Sequence, residues 1–290
     1  MHSVPIVPNI SLAKVSIVLV LASAAGVACA PHHTAASDDD ATLLAQDGAD
    51  TSSTESDAET LSMSFIASTS ARLTLASQGD LAGGTLRLDD LGDGVKSAYV
   101  PAGCVTVTSD TSAHTATYDL KGCSGPHGLL SVTGTVKVSY TSPEPTKLVL
   151  DFEASQLKAN RATIEWSAHA EITAHLLGKR EMSWRAHLDG TTARGRSFTR
   201  TNVKTIAWTV GQECVLVNGS SDGNVSGRNL HTDVINYSRC KGECPAAGSE
   251  VKITNSDNGR SIDITYDGGR QATFTGPKGG QVQITLACGL

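Results

Sequence analysis

The sequence predicts an exported, all-β protein made of antiparallel hairpins and meanders. Three observations predict this class: an N-terminal segment typical of export, an even set of cysteines behind it, and alternation of apolar and polar residues with frequent turn residues from about residue 84. We expect a sandwich or an open barrel, in one unit or in two duplicated β-units. Only 4% of the 290 residues are aromatic, so the core should be poor in large side chains.

The N-terminal segment is typical of a signal peptide. Lys14 precedes an apolar run from Val15 to Leu21, which is too short to span a bilayer. The following residues Gly26-Val27-Ala28-Cys29 resemble the lipobox of bacterial lipoproteins, in which the cysteine is acylated and becomes the first residue. Gly26 stands where that motif usually has an aliphatic residue. We predict a lipoprotein-type signal peptide over residues 1–28 and lipidation at Cys29, with ordinary secretion as the alternative.

Residues 29–59 are predicted to form a disordered, acidic, Ser/Thr-rich tether. Between residues 31 and 59 the chain has no Lys or Arg, few large apolar residues and these acids: Asp38, Asp39, Asp40, Asp47, Asp50, Glu55, Asp57 and Glu59. Such a segment buries too little apolar surface to offset its ordering entropy. Residues 60–78 have a mixed periodicity that predicts a short helix. Acids and bases nearly balance over residues 60–290, which gives no argument for nucleic-acid binding.

The all-β domain is predicted to cover residues 60–290, with candidate sub-units at 84–205 and 206–290. Its clearest part is a four-stranded meander over residues 250–254, 261–266, 271–275 and 281–286, separated by Asn-Gly, Gly-Gly and Gly-Pro turns. Duplication is suggested because Gly134–Asp151 resembles Gly248–Thr265 and Cys104-Val-Thr-Val resembles Cys214-Val-Leu-Val. Any two Val-rich strands could align this well, so a single unit stays open.

The cysteines support both lipidation and export. If Cys29 carries lipid, the six others form an even set, which predicts three disulfides. An up-and-down meander brings Cys288 to the sheet end where Cys244 lies, Cys214 and Cys240 close one long hairpin, and Cys104 and Cys123 close a shorter one. We therefore predict the pairs Cys244–Cys288, Cys214–Cys240 and Cys104–Cys123.

Several stretches resemble a known group of proteins. They are Cys104-Val-Thr-Val, the run from Cys123 through Gly134-Thr-Val136, Tyr237-Ser-Arg-Cys240-Lys-Gly-Glu-Cys244-Pro and the closing Ile284-Thr-Leu-Ala-Cys288. Together they look like the uncharacterised β-rich envelope lipoproteins that are numerous in myxobacteria, over roughly residues 100–290. The resemblance implies a compartment and an all-β fold, and it implies no activity.

Two strands with a polar face are the best candidates for a metal site. Apolar and polar residues alternate over residues 164–175 and 181–189, and a hairpin loop at Leu177-Gly178-Lys179 would place His169 opposite His187. Glu171 would then face Arg185 and lie diagonal to His187, so His169, Glu171 and His187 could form a site with two histidines and one carboxylate. The alternative is an exposed hairpin face with one cross-strand ion pair.

Two further patterns were considered for chemistry or binding. Gly219-Ser220-Ser221-Asp222-Gly223 matches the nucleophile elbow G-x-S-x-G, but no helix can follow it, so we interpret it as a hairpin loop. The second is a locally basic strip that we interpret as a solvated loop, with a site for a polyanion such as lipopolysaccharide as the alternative; it contains Lys179, Arg180, Arg185, Arg194, Arg196, Arg200 and Lys204.

The sequence therefore predicts a lipid-anchored protein of the bacterial cell envelope with a binding or structural role. We expect no enzyme activity, catalytic residue, bound metal or cofactor, and no nucleic-acid partner; a protein or glycan partner is not identified. Ala30 follows the cysteine where Asp would favour the inner membrane, so we expect the outer membrane, or else secretion. The alternatives are a metal-dependent hydrolase using His169, Glu171 and His187, and a polyanion-binding envelope module.

Overall fold

The described residues form one open antiparallel sheet and one long helix. The computed structural model describes residues 38–77, 95–125, 130–144, 146–210, 212, 214–240 and 243–286. The sheet has 13 strands, and each strand pairs only with its neighbours in sequence. The all-β antiparallel prediction is confirmed, in the form of a single sheet with two edges rather than two packed sheets.

The elements follow one another with short connections. The helix α1 spans Asp38–Ser77, and a helical turn at residues 95–98 precedes the sheet. The strands are β1 (Val105–Asp110), β2 (Thr115–Ser124), β3 (Ser131–Glu144), β4 (Lys147–Ala159), β5 (Ala162–Ala174), β6 (Lys179–Thr191), β7 (Ser197–Thr209), β8 (Cys214–Val225), β9 (Arg228–Cys240), β10 (Glu250–Asn255), β11 (Ser261–Tyr266), β12 (Gln271–Thr275) and β13 (Gln281–Thr285).

The sheet has one buried face and one exposed face because side chains alternate along its strands, apart from a few bulges. In β6, Arg180, Met182, Trp184, Ala186 and Leu188 are buried, and the residues between them are exposed. The other long strands repeat this pattern with a period of two, as expected when one face of a pleated strand packs on a core. We call the buried side the inner face and the exposed side the outer face.

Helix α1 lies across the inner face. Near its start, Gly48 packs so closely on β10 that an added Cβ would lie 2.6 Å from Ile253 Cδ1. Farther along, the Ser64 hydroxyl is 2.8 Å from the Tyr99 hydroxyl, and the rings of Phe65 and Tyr118 of β2 are 4.4 Å apart. The helix therefore crosses from β10 to β2, and the sheet forms its hydrophobic core around it.

The two halves of the helix contact different parts of the sheet. Around Phe65 the core is aromatic: the ring of Phe152 of β4 is stacked on Trp166 of β5 at 5.5 Å and lies tilted against Trp184 of β6 at 6.1 Å. The first half of α1 contains the acidic residues and lies against β7 to β10. Aromatic rings thus fill the core beside the second half of the helix, whereas charged side chains meet its first half on β7 and β8.

The predicted tether is wrong for residues 41–59. These residues belong to α1 and are largely buried; Asp47, Glu55 and Glu59 are 0%, 3% and 6% exposed. The prediction failed because the acids were assigned to solvent, whereas the sheet provides them with cationic partners. Residues 60–77 are helical as predicted, but the helix begins at Asp38. The signal peptide, Cys29 and the rest of the tether lie outside the described residues.

Two of the three predicted disulfides are confirmed. Cys104 and Cys123 are bonded with a Cα–Cα distance of 5.4 Å, and Cys214 and Cys240 with 3.9 Å. Each bridge closes the base of one hairpin. Cys244 is also disulfide-bonded, and its predicted partner Cys288 lies outside the described residues.

The predicted C-terminal meander is confirmed, with β10 to β13 at the predicted positions. The boundary of the candidate sub-units between residues 205 and 206 falls inside β7. That strand pairs with both β6 and β8 over nearly its full length, so the sheet is not divided there. Within the described part of the chain, no helix is long and apolar enough to cross a membrane.

Candidate functional site

Part of the basic strip lies on the inner face of the sheet, against the helix. On β7, Arg200 and Lys204 are 1% and 5% exposed and point inward with Asn202 between them. The strip was expected to be solvated, which is correct for Lys179, Arg185 and Arg194 and wrong for Arg180, Arg200 and Lys204. Because side chains alternate along a strand, residues four positions apart share the inner face.

Arg200 and Glu55 form the centre of a buried ion cluster. Arg200 Nε donates to Glu55 Oε1 at 2.8 Å, and its two terminal nitrogens donate to the Leu230 carbonyl at 2.6 Å and Thr232 Oγ1 at 2.9 Å. The second carboxylate oxygen of Glu55 accepts from Ser221 Oγ at 2.6 Å. Every polar atom of this pair that faces the interior therefore has a partner, which a buried charge requires.

Lys204 lies between two carboxylates. Its Nζ donates to Glu59 Oε1 and is 3.7 Å from Glu55 Oε2. Burial opposes ionisation of Glu55, but Arg200 and Lys204 more than compensate and hold its pKa below the usual value. Burial raises the pKa of Glu59, although Lys204 opposes the change. Glu59 is therefore the carboxylate of the cluster that takes up a proton first as the pH falls.

Two glycines bring strands β7 and β8 close together beneath the cluster. Gly219 lies opposite Lys204 and Gly223 opposite Arg200. A Cβ at Gly223 would lie 1.9 Å from the Thr199 carbonyl oxygen, and one at Gly219 would lie 2.2 Å from the Val203 carbonyl oxygen. The Gly219–Gly223 segment is therefore part of β8, and its interpretation as a hairpin loop is wrong. Its glycines are required by close backbone approach, and Ser221 between them bonds Glu55.

Two more acids of the helix bind bases at one end of the sheet. Asp47 is fully buried and accepts from both Arg196 and Arg228, and Asp50 is 3.2 Å from Arg194 Nε. Arg196 and Arg194 lie in the β6–β7 connection, and Arg228 begins β9. Four acids of the predicted tether thus have their counterions in the C-terminal part of the basic strip and in Arg228.

Hydroxyl side chains make the polar helix compatible with burial. Thr51 Oγ1 donates to the Asp47 carbonyl at 2.8 Å, Thr54 Oγ1 to the Asp50 carbonyl at 2.9 Å, and Ser62 Oγ to the Ala58 carbonyl at 2.7 Å. Each bond runs to the preceding turn, so the hydroxyl is satisfied inside the helix itself. A helix rich in Ser and Thr can therefore be buried here, because its hydroxyl groups do not need water as a partner.

A spacing signal in the sequence could have located this cluster. Asp47, Glu55 and Glu59 are separated by multiples of four, which places them on one side of a helix. Arg196, Arg200 and Lys204 also repeat every four residues, which places them on one face of a strand. The two matched series, rather than either charge excess alone, indicate a helix paired with a strand.

Asp57, on the same helix, is a half-buried carboxyl whose effect on the stability of the fold should depend on pH. Burial raises the pKa of Asp57 to about 6, although Asn160 Nδ2 donates to it at 2.8 Å. A carboxyl with a raised folded-state pKa stabilises the fold when protonated, and this contribution is lost as the pH rises through about 6. Asp57→Asn should therefore raise the free energy of unfolding by about 1 kcal/mol near pH 8, after allowance for solvent screening, with little change near pH 4.

The measurement is urea denaturation of wild type and variant at both pH values. Glu153→Gln, an exposed change on the outer face, serves as the control and should give the same difference at both. An Asp57→Asn difference that stays constant between the two pH values would contradict the role assigned to burial.

The metal candidates share the outer face as predicted, but their register differs. His169 lies opposite Arg185 on β6, and His187 lies opposite Ser167, so the two histidines are diagonal neighbours. The predicted pairing was shifted by two residues. Leu177 adopts a left-handed conformation (φ 59°), so the turn is centred one residue earlier than expected, and each residue of β5 faces a β6 residue two positions earlier. The pairing of Glu171 with Arg185 is likewise wrong; Glu171 lies opposite Ser183.

The structure brings two of the three candidates together, with His169 Nε2 3.4 Å from Glu171 Oε1, and each of the three also has a further partner. His169 Nδ1 is 2.7 Å from Asp151 Oδ1, and this hydrogen bond is the main cause that raises the pKa of His169. Glu171 binds Lys147 at 2.7 Å, and His187 Nδ1 is 3.2 Å from Thr201 Oγ1. Among the residues that the structure describes, no group of three His, Cys, Asp or Glu is placed to hold a metal ion.

The buried cluster fixes the helix to the sheet and has little room for anything else. The cavity beside it has a volume of about 20 Å³ and is lined by Ser52, Glu55, Ser56, Lys204, Ser221 and Thr232, among others. This is about the space that one water molecule needs. In comparisons with known proteins, no family model, no curated protein and no solved structure matches this chain.

Proposed function

We propose that this chain is an envelope protein anchored to a bacterial membrane by a lipid on Cys29, with a binding or structural role at the membrane surface. The observation that carries the proposal is the pairing of the cysteines behind Cys29. Cys104 with Cys123 and Cys214 with Cys240 form two bridges, and Cys244 is bonded as well. Disulfides of this kind favour an oxidising, exported compartment.

The position of the helix supports a short connection to the anchor. Cys29 precedes the first residue of α1, Asp38, by nine positions, which is at most about 30 Å of extended chain. Ion pairs then hold the first half of α1 to β7, β8 and β9. A lipid on Cys29 would therefore hold the sheet near the membrane, whereas the predicted 31-residue tether would have let it move much farther away.

A non-catalytic role is supported by the use of the buried charges. Arg200, Lys204, Glu55 and Glu59 bind one another across the helix and sheet, and the cavity beside them is too small for a substrate. We propose the outer face and the loops, rather than the interior, as the surfaces that act.

The anchor can be tested by changing Cys29 to Ser. The wild-type protein should fractionate with membranes and have an N-terminal peptide with the mass of an acylated cysteine. The Cys29→Ser protein should lack this modification and leave the membrane fraction under high salt, because no acyl chain remains to hold it.

Ala30→Ser is the matched control, since it introduces the same side chain one position later and leaves the cysteine in place. It should stay in the membrane fraction with its lipid. An unmodified Cys29 in the wild-type protein would refute the anchor, whatever the fraction in which the protein is found.

A further inference from the structure

Strand β13 forms one edge of the sheet and has a free side. Within the described part of the chain it pairs with β12 alone, and four of its five residues are exposed, among them Val282 at 61%. An edge strand of this kind presents a row of backbone N–H and C=O groups that can pair with another chain. We call the free side of β13 the open edge.

The pairing of β13 with β12 determines which backbone groups point outward at the open edge. The Leu286 N–H donates to the Arg270 carbonyl and the Gly276 N–H donates to the Gly280 carbonyl, so the even-numbered residues of β13 bond to β12. Because these bonds alternate along an antiparallel pair, the N–H and C=O groups of the odd-numbered residues point away from β12. The odd-numbered residues are Gln281, Gln283 and Thr285. Three donors and three acceptors therefore point toward a partner.

Strand β13 also lacks the features that usually keep an edge strand from pairing. Its sequence, Gln-Val-Gln-Ile-Thr, contains no charged residue and no proline, and its pairing with β12 has no bulge. The opposite edge of the sheet is different. There the Cys104 N–H bonds back to the Pro101 carbonyl in a turn directly before β1, and β1 ends in the charged Asp110. The open edge of β13 is therefore the better suited of the two edges to strand pairing.

The inner face of the sheet is incompletely covered at β13. Phe274 and Ile284 are half-buried, and Val282 on the same face is exposed. Helix α1 contacts the sheet through Gly48 on Ile253 of β10, which lies three strands away. A strand added at the open edge would place its own inner-face residues beside Val282 and Ile284. If those residues were apolar, the exposed apolar surface would be buried on both sides.

The residue pattern of β13 is complementary to a second copy of itself. When Gln283 lies opposite Gln283 of the second copy in an antiparallel pair, Gln281 faces Thr285 and Val282 faces Ile284. Polar side chains then face polar ones, apolar side chains face apolar ones, and no like charges lie opposite each other. The three residues whose backbone groups point outward exchange six hydrogen bonds with the same three residues of the copy.

We propose that two copies of this chain associate through their open edges, with their β13 strands paired antiparallel about a two-fold axis at Gln283. The two-fold axis closes the assembly as a dimer, because each copy uses its open edge once. Pairing of one short strand buries less surface than a standard interface, so we expect a dissociation constant on the order of 10 to 100 µM. The pairing depends on the folded sheet and not on the proposed lipid anchor.

Sedimentation velocity of the mature chain with Cys29→Ser, over a concentration series, measures the association. Gln283→Pro removes an N–H that points outward, so it breaks no bond to β12 and should weaken dimerisation at least about tenfold. Ser109→Pro is the matched control, because the Ser109 N–H points outward from the opposite edge in the same way. It should change the dissociation constant less than about twofold. Unchanged thermal unfolding shows that each variant is folded.

A second measurement tests the register of the two strands. The Cα atoms of the two Gln283 residues would be about 5.5 Å apart, so Gln283→Cys should give a disulfide-linked dimer on mild oxidation. Gln281→Cys is the control, because its two copies would be about 14 Å apart and should not link. The proposal would be overturned by a chain that stays monomeric up to several hundred micromolar, or by equal effects of Gln283→Pro and Ser109→Pro. Equal linking at both cysteines, or open-ended polymers formed by β13 on β1, would also overturn it.

Discussion

Replacing Arg200 with Met should lower the free energy of unfolding by about 3 to 5 kcal/mol. Arg200 and Glu55 are 0% and 4% exposed in their side chains, so the change leaves a buried carboxylate without its main cation. The Leu230 carbonyl and Thr232 hydroxyl lose their donors at the same time. Urea denaturation followed by circular dichroism measures the loss.

A double variant separates the ion pair from general disruption. Arg200→Met combined with Glu55→Gln removes both charges, so it should be more stable than the sum of the single changes predicts, by about 1 to 3 kcal/mol. Arg161→Met, an exposed change, should alter stability by no more than about 0.5 kcal/mol. Strictly additive losses would mean that the cluster does not act as a coupled pair.

Replacing Gly223 with Ala should cost about 3 kcal/mol or more, because its Cβ would lie 1.9 Å from the Thr199 carbonyl oxygen. The obstacle is backbone of a neighbouring strand, so no side-chain rotation can relieve it. The strands beneath Arg200 would have to separate, and the cluster with Glu55 would loosen with them. Thermal unfolding and limited proteolysis of α1 should both report the change.

Gly227→Ala is the control for this prediction. Gly227 has a left-handed φ of 89°, but a Cβ there would meet nothing within 4 Å. It should therefore lose only about 1 kcal/mol, the ordinary cost of a positive φ in a residue other than glycine. Similar losses at both positions would show that close strand approach is not what requires Gly223.

The features of the sheet that depend on short stretches of sequence, such as alternation and turn residues, were predictable. Alternation determines which side chains share a face. The faces assigned to the residues of β5 and β6 were therefore correct, although the predicted pairing of the two strands was shifted by two residues. The turns after β10 to β12 contain glycines and asparagine that tolerate positive φ, and there the predicted strands agree with the observed ones. Leu177 has no such preference, and the hairpin that depends on it was placed incorrectly.

The helix and its cluster could not be derived from local preference. Ser, Thr and Asp are weak helix formers, and residues 38–59 have few apolar positions. Their helix is stabilised by cations more than a hundred residues away, such as Arg200 for Glu55 and Arg228 for Asp47. Composition described each segment correctly as acidic or basic and gave no indication that the two meet.

The separation of these partners along the chain has a consequence for the order of folding. Glu55 and Arg200 are 145 residues apart, and Asp47 and Arg228 are 181 apart, whereas every strand of the sheet pairs with its immediate neighbour in sequence. At about 5 to 20 residues per second of synthesis, Arg200 appears roughly 7 to 30 seconds after Glu55. The hairpins can form one after another as they emerge, but the helix must wait until β7 and β9 are made. Docking of the helix is therefore a late event, and until then a chaperone or the solvent has to accommodate its carboxylates and the open inner face.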